Sequence, residues 1–412
     1  MIRYEKRQLS NGMRVIVSPS PLTSVATFNI LYTVGAKNEK AERTGFAHLL
    51  EHLMFSGSAN ISDFDYHVQK VGGDSNAFTT NDFTNYYISL PADNIETAFW
   101  LESDRLLSPA FTQERLDVQK KVVVEEFYQH YLNKPFGDQM HYARSLAYKV
   151  HPYRWPTIGL EPQHILDATL DEVEKFFYGH YTPSSAILSI VGNVEPERMF
   201  DMAEKWFGGI KRDQTKEEIA QEPEQVEERR ETIVKDVPEN RVMKIFHTSG
   251  RAHRDFYLGD ILTDILADGD SCCFNQNIIK GTKSMTEVNS YISGSVDPGV
   301  LILSGTLSEG TSTEQAEAEL MKEVERIAEE GPTEYEMQKA INRTLSGQMI
   351  GETSAMQIAN VMCIDEAIGD CGQINTDIDK YMSITIDEVR DFAKRTFRRE
   401  NCSTLLYLKE EK

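Results

Sequence analysis

Thr169-Leu-Asp-Glu-Val-Glu-Lys-Phe176, followed by the strand-like run Ala186 to Val191, returns as Thr385-Ile-Asp-Glu-Val-Arg-Asp-Phe392, followed by Ser403 to Leu408. The copies lie 216 residues apart in a chain of 412, the spacing of a duplicated domain. A fainter echo sets Leu49, Leu50, Leu53 and Met54 against Ile261, Leu262, Ile265 and Leu266. There, Asp260, Thr263 and Asp264 stand where the first copy has His48, Glu51 and His52. Working outward, Tyr4–Leu9 and Met13–Ser18 flank Asn11-Gly12, a dipeptide suited to a tight hairpin turn. Val25–Val34 reads as a further strand, and Thr44–Phe55 carries apolar residues at helical spacing. After Gly72-Gly73 come strand-like Ser75–Thr80 and Thr84–Leu90, then helical patterns over Asn94–Arg105 and from Glu114 to about Leu132. The segment 213–236 is rich in Glu and Gln and poor in apolar residues, the composition of a linker. The expectation is two related α+β domains, 1–212 and 237–412, joined by an acidic linker over 213–236.

The composition bounds the function. With 43 Lys+Arg against 65 Asp+Glu the net charge is −22, which repels phosphate backbones and makes nucleic acid a poor partner. The same charge favours basic peptides. Hydrophobic residues make up 40% of the chain, enough for substantial cores, and no apolar run approaches the ~20 residues of a membrane-spanning helix. Met1-Ile2-Arg3-Tyr4-Glu5-Lys6-Arg7 lacks the apolar centre of a signal peptide, so the expected location is cytoplasmic. Five cysteines, all in the second half and without a CxxC pair, fit a reducing compartment and argue against a thiolate zinc site.

The chemistry concentrates in His48-Leu49-Leu50-Glu51-His52. On a helix, residues four apart share a face about 5–6 Å apart, so both imidazoles can reach one cation, with Glu51 beside them. Zinc suits such ligands and keeps a fourth position for a water whose pKa falls toward ~7. An unliganded carboxylate such as Glu51 can then serve as general base. With only ten His in the chain, this pattern is rare by chance. His141, His151, His164 and His180 stand at no ligand spacing.

The motif resembles the inverted zinc motif His-x-x-Glu-His of the pitrilysin/insulinase-type (M16-like) metallopeptidases. The resemblance extends to Val122-Val123-Val124-Glu125-Glu126-Phe127, then Asn133-Lys134-Pro135-Phe136-Gly137, and to Gly72-Gly73-Asp74-Ser75-Asn76-Ala77-Phe78-Thr79. It is strongest to the bacterial half-length members that resemble the mitochondrial processing peptidase. It implies Glu126, 74 residues after His52, as third ligand, with Glu125 as the alternative. It further implies Zn²⁺ as cofactor and two homologous halves, each an antiparallel sheet covered by helices, forming half of a clamshell chamber. A peptide would be held as an added strand along Asn76, Ala77, Phe78 and Thr79.

Three positions depart from the family pattern. Gln119 replaces a Glu of the outer shell, seven residues before the third ligand. In the second half Lys280 replaces an Arg and Glu287 a Tyr that hold substrate carbonyls in the family; if Val288–Ser293 is a strand, Tyr291 shares the face of Glu287 and is a candidate substitute. The expected activity is zinc-dependent endopeptidase action on peptides or unfolded segments, by a homodimer or by a heterodimer with a related subunit. The alternatives are a zinc-bearing subunit that needs its partner for activity, a non-catalytic structural homologue, and a hydrolase of non-peptide substrates.

Overall fold

The computed structural model describes residues 1–21, 23–215 and 218–410. Among them are two sheets, each in its own compact unit. One unit comprises residues 1–128, 155–219 and 349–376; the other comprises 129–154, 220–348 and 377–412. Each unit therefore takes one stretch of chain from the opposite half of the sequence. This differs from the consecutive domains 1–212 and 237–412.

The first sheet contains β1 (Glu5–Gln8), β2 (Arg14–Pro19), β3 (Val25–Tyr32), β4 (Asp74–Thr79), β5 (Thr84–Pro91) and β6 (Ala186–Gly192), in spatial order β1-β2-β6-β3-β5-β4. The second contains β7 (Arg229–Lys235), β8 (Arg241–His247), β9 (Met285–Ile292), β10 (Val300–Leu307) and β11 (Cys402–Lys409), in order β7-β11-β8-β10-β9. Without β1 the two orders are the same, strand for strand, as duplication requires. The helices Leu170–His180 and Ile386–Thr396 open alike: Thr169 and Thr385 each cap their helix, with Glu172 and Glu388 reaching back.

Two expectations are corrected. The sheets are mixed rather than wholly antiparallel, because β6 runs parallel to β2 and β11 parallel to β7. Most of the 213–236 segment lacks regular structure, but its end forms β7, the counterpart of β2; Lys216 and Glu217 lie outside the described residues. β7 is an edge strand whose exposure alternates along Arg-Arg-Glu-Thr-Ile-Val-Lys, and its charged side chains made it read as linker.

Exchange of chain explains why central strands are buried on both faces. Every residue of β6 is buried, because the helix Ala355–Ile368 packs on β3 and β6. In the second unit Val242, Phe246, Leu301 and Leu303 face one core, with Ile261, Leu262 and Val324. Met243, Ile245, Ile302 and Leu405 face another, with Ala143, Leu146 and Ala147 of the helix Gln139–Ala147. Exposing either face would return its buried apolar surface to water, at roughly 25 cal/mol per Å². Each sheet therefore needs its borrowed helix.

Candidate metal centre

The helix Phe46–Met54 carries the His-x-x-Glu-His set and buries Phe46, Leu49, Leu50, Leu53 and Met54 on its opposite side. It begins at Gly45, whose φ of +87° is left-handed and whose lack of a side chain leaves no local cap. The cap comes from elsewhere. Gly45 N–H donates to Glu39 Oε2 and Ala47 N–H to Glu39 Oε1, each at 2.8 Å. Burial pushes the Glu39 carboxyl up to about 8, while the amides of Ala47, Gly45 and Phe46 pull it down. The helix Gln113–Phe127 packs beside it and brings in Glu126.

The two imidazole rings lie edge to face, 4.8 Å between centroids. Glu126 Oε2 is 3.8 Å from His48 Nε2 and 3.5 Å from His52 Nε2, and the three ligand atoms all lie within 4.8 Å of one another. Ligand atoms about 3.4 Å apart form the edge of a tetrahedron with bonds of about 2.0–2.1 Å, the dimensions of zinc with N and O ligands. Among the described residues His48 Nδ1 is buried without a hydrogen-bond partner, and the ring's polar neighbour is on the Nε2 side. Burial, reinforced by His52 and opposed by Glu126, pushes His48 down to about 4, so it is neutral and ligand-competent at pH 7. This donor set fits a divalent ion such as zinc.

Glu51 lies one residue before His52 and is not in the ligand group. Thr79, the last residue of β4, donates its hydroxyl to Glu51 Oε2. Burial and Glu126 raise the Glu51 carboxyl, while the Thr79 bond and His52 lower it. Nearby, the hydroxyls of the buried Tyr86 and Tyr181 are 3.5 Å apart, and the Arg105 guanidinium sits 4.2 Å from the Tyr86 ring centre. Arg105 is held by Glu102 at 2.6 and 2.7 Å, which compensates its buried charge.

The other sequence candidates fall in several places. Gln119, two turns before Glu126 on the same helix, donates to Ser56 Oγ at 3.5 Å. Asn76, Ala77 and Phe78 lie with Thr79 on β4, an edge strand that pairs only with β5. Lys280 and Tyr291 belong to the second unit: Lys280 Nζ donates to the Asp270 carbonyl at 3.0 Å, and Tyr291 is a partly exposed residue of the edge strand β9. Glu287, on the same face of β9, pairs with Arg241 at 3.2 Å. Of the residues at the matching positions of the second copy, Asp260 accepts from Tyr381 at 2.6 Å and Thr263 donates to the Asp260 carbonyl of its own helix. Sequence reasoning missed Glu39; the signal was a helix opening at a glycine with an acidic residue a few positions upstream.

Two family models match the chain: "Insulinase (Peptidase family M16)" over residues 14–156 and "Peptidase M16 inactive domain" over residues 167–344. The chain belongs to the M16 peptidase family. Its relatives include the zinc protease PqqE of Helicobacter pylori, 28% identical over 346 residues, 82% of this chain and 77% of that protein. A crystal structure of a protease from Helicobacter pylori has the same fold, with a TM-score of 0.93 at 24% identity, covering 99% of this chain and 100% of that one. The periplasmic protease PqqL from Escherichia coli matches 98% of this chain at a TM-score of 0.78 and 15% identity, but with only 47% of its own length. The M16 chain described here is thus comparable to half of PqqL. No helix among its described residues is long and apolar enough to cross a membrane.

Proposed function

We propose that this M16 chain is a zinc endopeptidase that hydrolyses peptides and unfolded segments. The observation that carries the reading is the convergence of His48 Nε2, His52 Nε2 and Glu126 Oε2 on one point, with a second carboxylate, Glu51, beside them and outside the group. Those three residues would hold the ion, and the zinc-protease names of relatives favour Zn²⁺. When bound, zinc supplies a Lewis acid that polarises a carbonyl and acidifies water.

The chain's own residues do the rest. Glu51 accepts the proton of the attacking water and passes it to the leaving amine nitrogen as the C–N bond breaks. Gln119, neutral where the family pattern has a Glu, adds no negative potential beside Glu126. The free edge of β4 offers main-chain donors and acceptors to an extended peptide along Asn76, Ala77, Phe78 and Thr79, which binds without reading sequence. Lys280 and Tyr291 are the second-half groups proposed to hold substrate carbonyls. Lys280 keeps the charge of the Arg it replaces but loses the planar fork.

A second reading is favoured by the loss of the Arg/Tyr pair and by PqqL having about twice this length in one chain. In it the protein is the zinc-bearing subunit of a dimer with a related chain that completes the substrate clamp. One experiment separates the two: cleavage of a mixed oligopeptide library by the purified chain with zinc, beside Glu51→Gln. Cleavage by the parent, reduced about 10²–10⁴-fold in Glu51→Gln at equal zinc content, supports a self-sufficient peptidase. Absence of cleavage by either, despite bound zinc, supports the subunit reading.

A further inference from the structure

We propose that Thr79 is a positioning residue for the general base: its hydroxyl fixes one carboxylate oxygen of Glu51 so that the other faces the scissile bond. The inference rests on the peptidase reading and extends it. The resemblance implied a substrate contact for Thr79, but its side chain is engaged with Glu51 Oε2. That is the single hydrogen bond of the Glu51 carboxylate to a side chain among the described residues, and Oε1 is left for a water or substrate.

A positioning residue must itself be held, and this one is. Thr79 ends β4 opposite Thr84 of β5. The turn beyond it is closed by Thr80 N–H to the Phe83 carbonyl at 2.8 Å, while Thr80 Oγ1 accepts from the Asp82 and Phe83 amides. Ala36 and Lys37 N–H then bond the Thr80 and Asn81 carbonyls at 3.1 and 2.9 Å. The approach is so close that a Cβ on Gly35 would stand 2.5 Å from the Thr80 carbonyl oxygen. Alternation along β4 puts Ser75, Ala77 and Thr79 on one face, and the helix that carries Glu51 packs against this strand. The strand proposed to hold the peptide is thereby tied, through one hydroxyl, to the group that receives the proton.

The test compares Thr79→Val, which keeps the shape and removes the donor, with Thr79→Ser, which keeps the donor. Three quantities are read with zinc bound: kcat and KM for an oligopeptide, zinc content, and peptide affinity by calorimetry in the Glu51→Gln background, where cleavage is slowed about 10²–10⁴-fold. Loss of a hydrogen bond to a charged group predicts kcat down about ten- to a hundredfold in Thr79→Val. KM, zinc content and peptide affinity should stay within about threefold, and Thr79→Ser should recover most of kcat. Unchanged kcat in Thr79→Val overturns the proposal. So does a parallel fall in peptide affinity, which would make Thr79 a substrate contact, or failure of Thr79→Ser to recover, which would make its methyl a packing group. If Thr79→Val does not fold, Thr79→Ala against Thr79→Ser makes the same comparison. A parent that cleaves nothing on its own removes the self-sufficient peptidase reading and, with it, this inference for the chain alone; an active parent with an equally active Thr79→Val removes this inference alone.

Discussion

At the residue scale the site depends on a buried acid that the His-x-x-Glu-His pattern does not contain. Glu39 replaces the cap that Gly45 cannot supply, and two amides of the ligand helix end on its oxygens. Its carboxyl is raised to about 8 by burial, so the proton is held more tightly in the folded chain than in the unfolded one. The stabilisation this brings is complete below the unfolded value of about 4.5 and is lost as pH rises to about 8. Urea unfolding of the metal-free protein should therefore show stability falling with pH in that window, by up to about 1.4 kcal/mol per unit from this group. In Glu39→Gln that component of the slope should vanish. An identical slope in both proteins would remove Glu39 as its source. The His48/Glu51/His52 pattern was legible because helical spacing is local; Glu39 and the Thr79 bond were not, because they join residues that only the fold brings together.

At the scale of elements, β4 is the one whose position matters most. Asn76 to Thr79 could be read as a strand from sequence, but that it is an edge follows from the order β1-β2-β6-β3-β5-β4. If peptides add to that edge, their main chain and not their side chains should dominate affinity. Binding to Glu51→Gln should weaken about tenfold when a central peptide amide is N-methylated, and change little when single side chains are cut to alanine. The reverse pattern would point to side-chain pockets instead. β7 illustrates the opposite failure: its charged, alternating edge sequence carries little hydrophobic signal, and it became recognisable only as the duplicate of β2.

For the molecule as a whole, the net charge of −22 acts beyond any single site. Basic peptides should be cleaved faster than acidic ones of equal length. That preference should decline as salt shortens the screening length from ~10 Å at 0.1 M to ~3 Å at 1 M. Equal rates at all salt concentrations would confine charge to a solubility role. The sequence by itself determined the duplication, the positions of most strands and helices and the His48/Glu51/His52 pattern, since these depend on local periodicity and spacing, while the candidate third ligand Glu126 rested on the family resemblance. Only the tertiary structure decided the parallel pairing of β2 with β6 and of β7 with β11, the exchange of the stretches 129–154 and 349–376, and the contacts of Glu39 and Thr79. Covering both faces of each sheet is a demand of the whole core, and no local pattern records which distant helix will meet it.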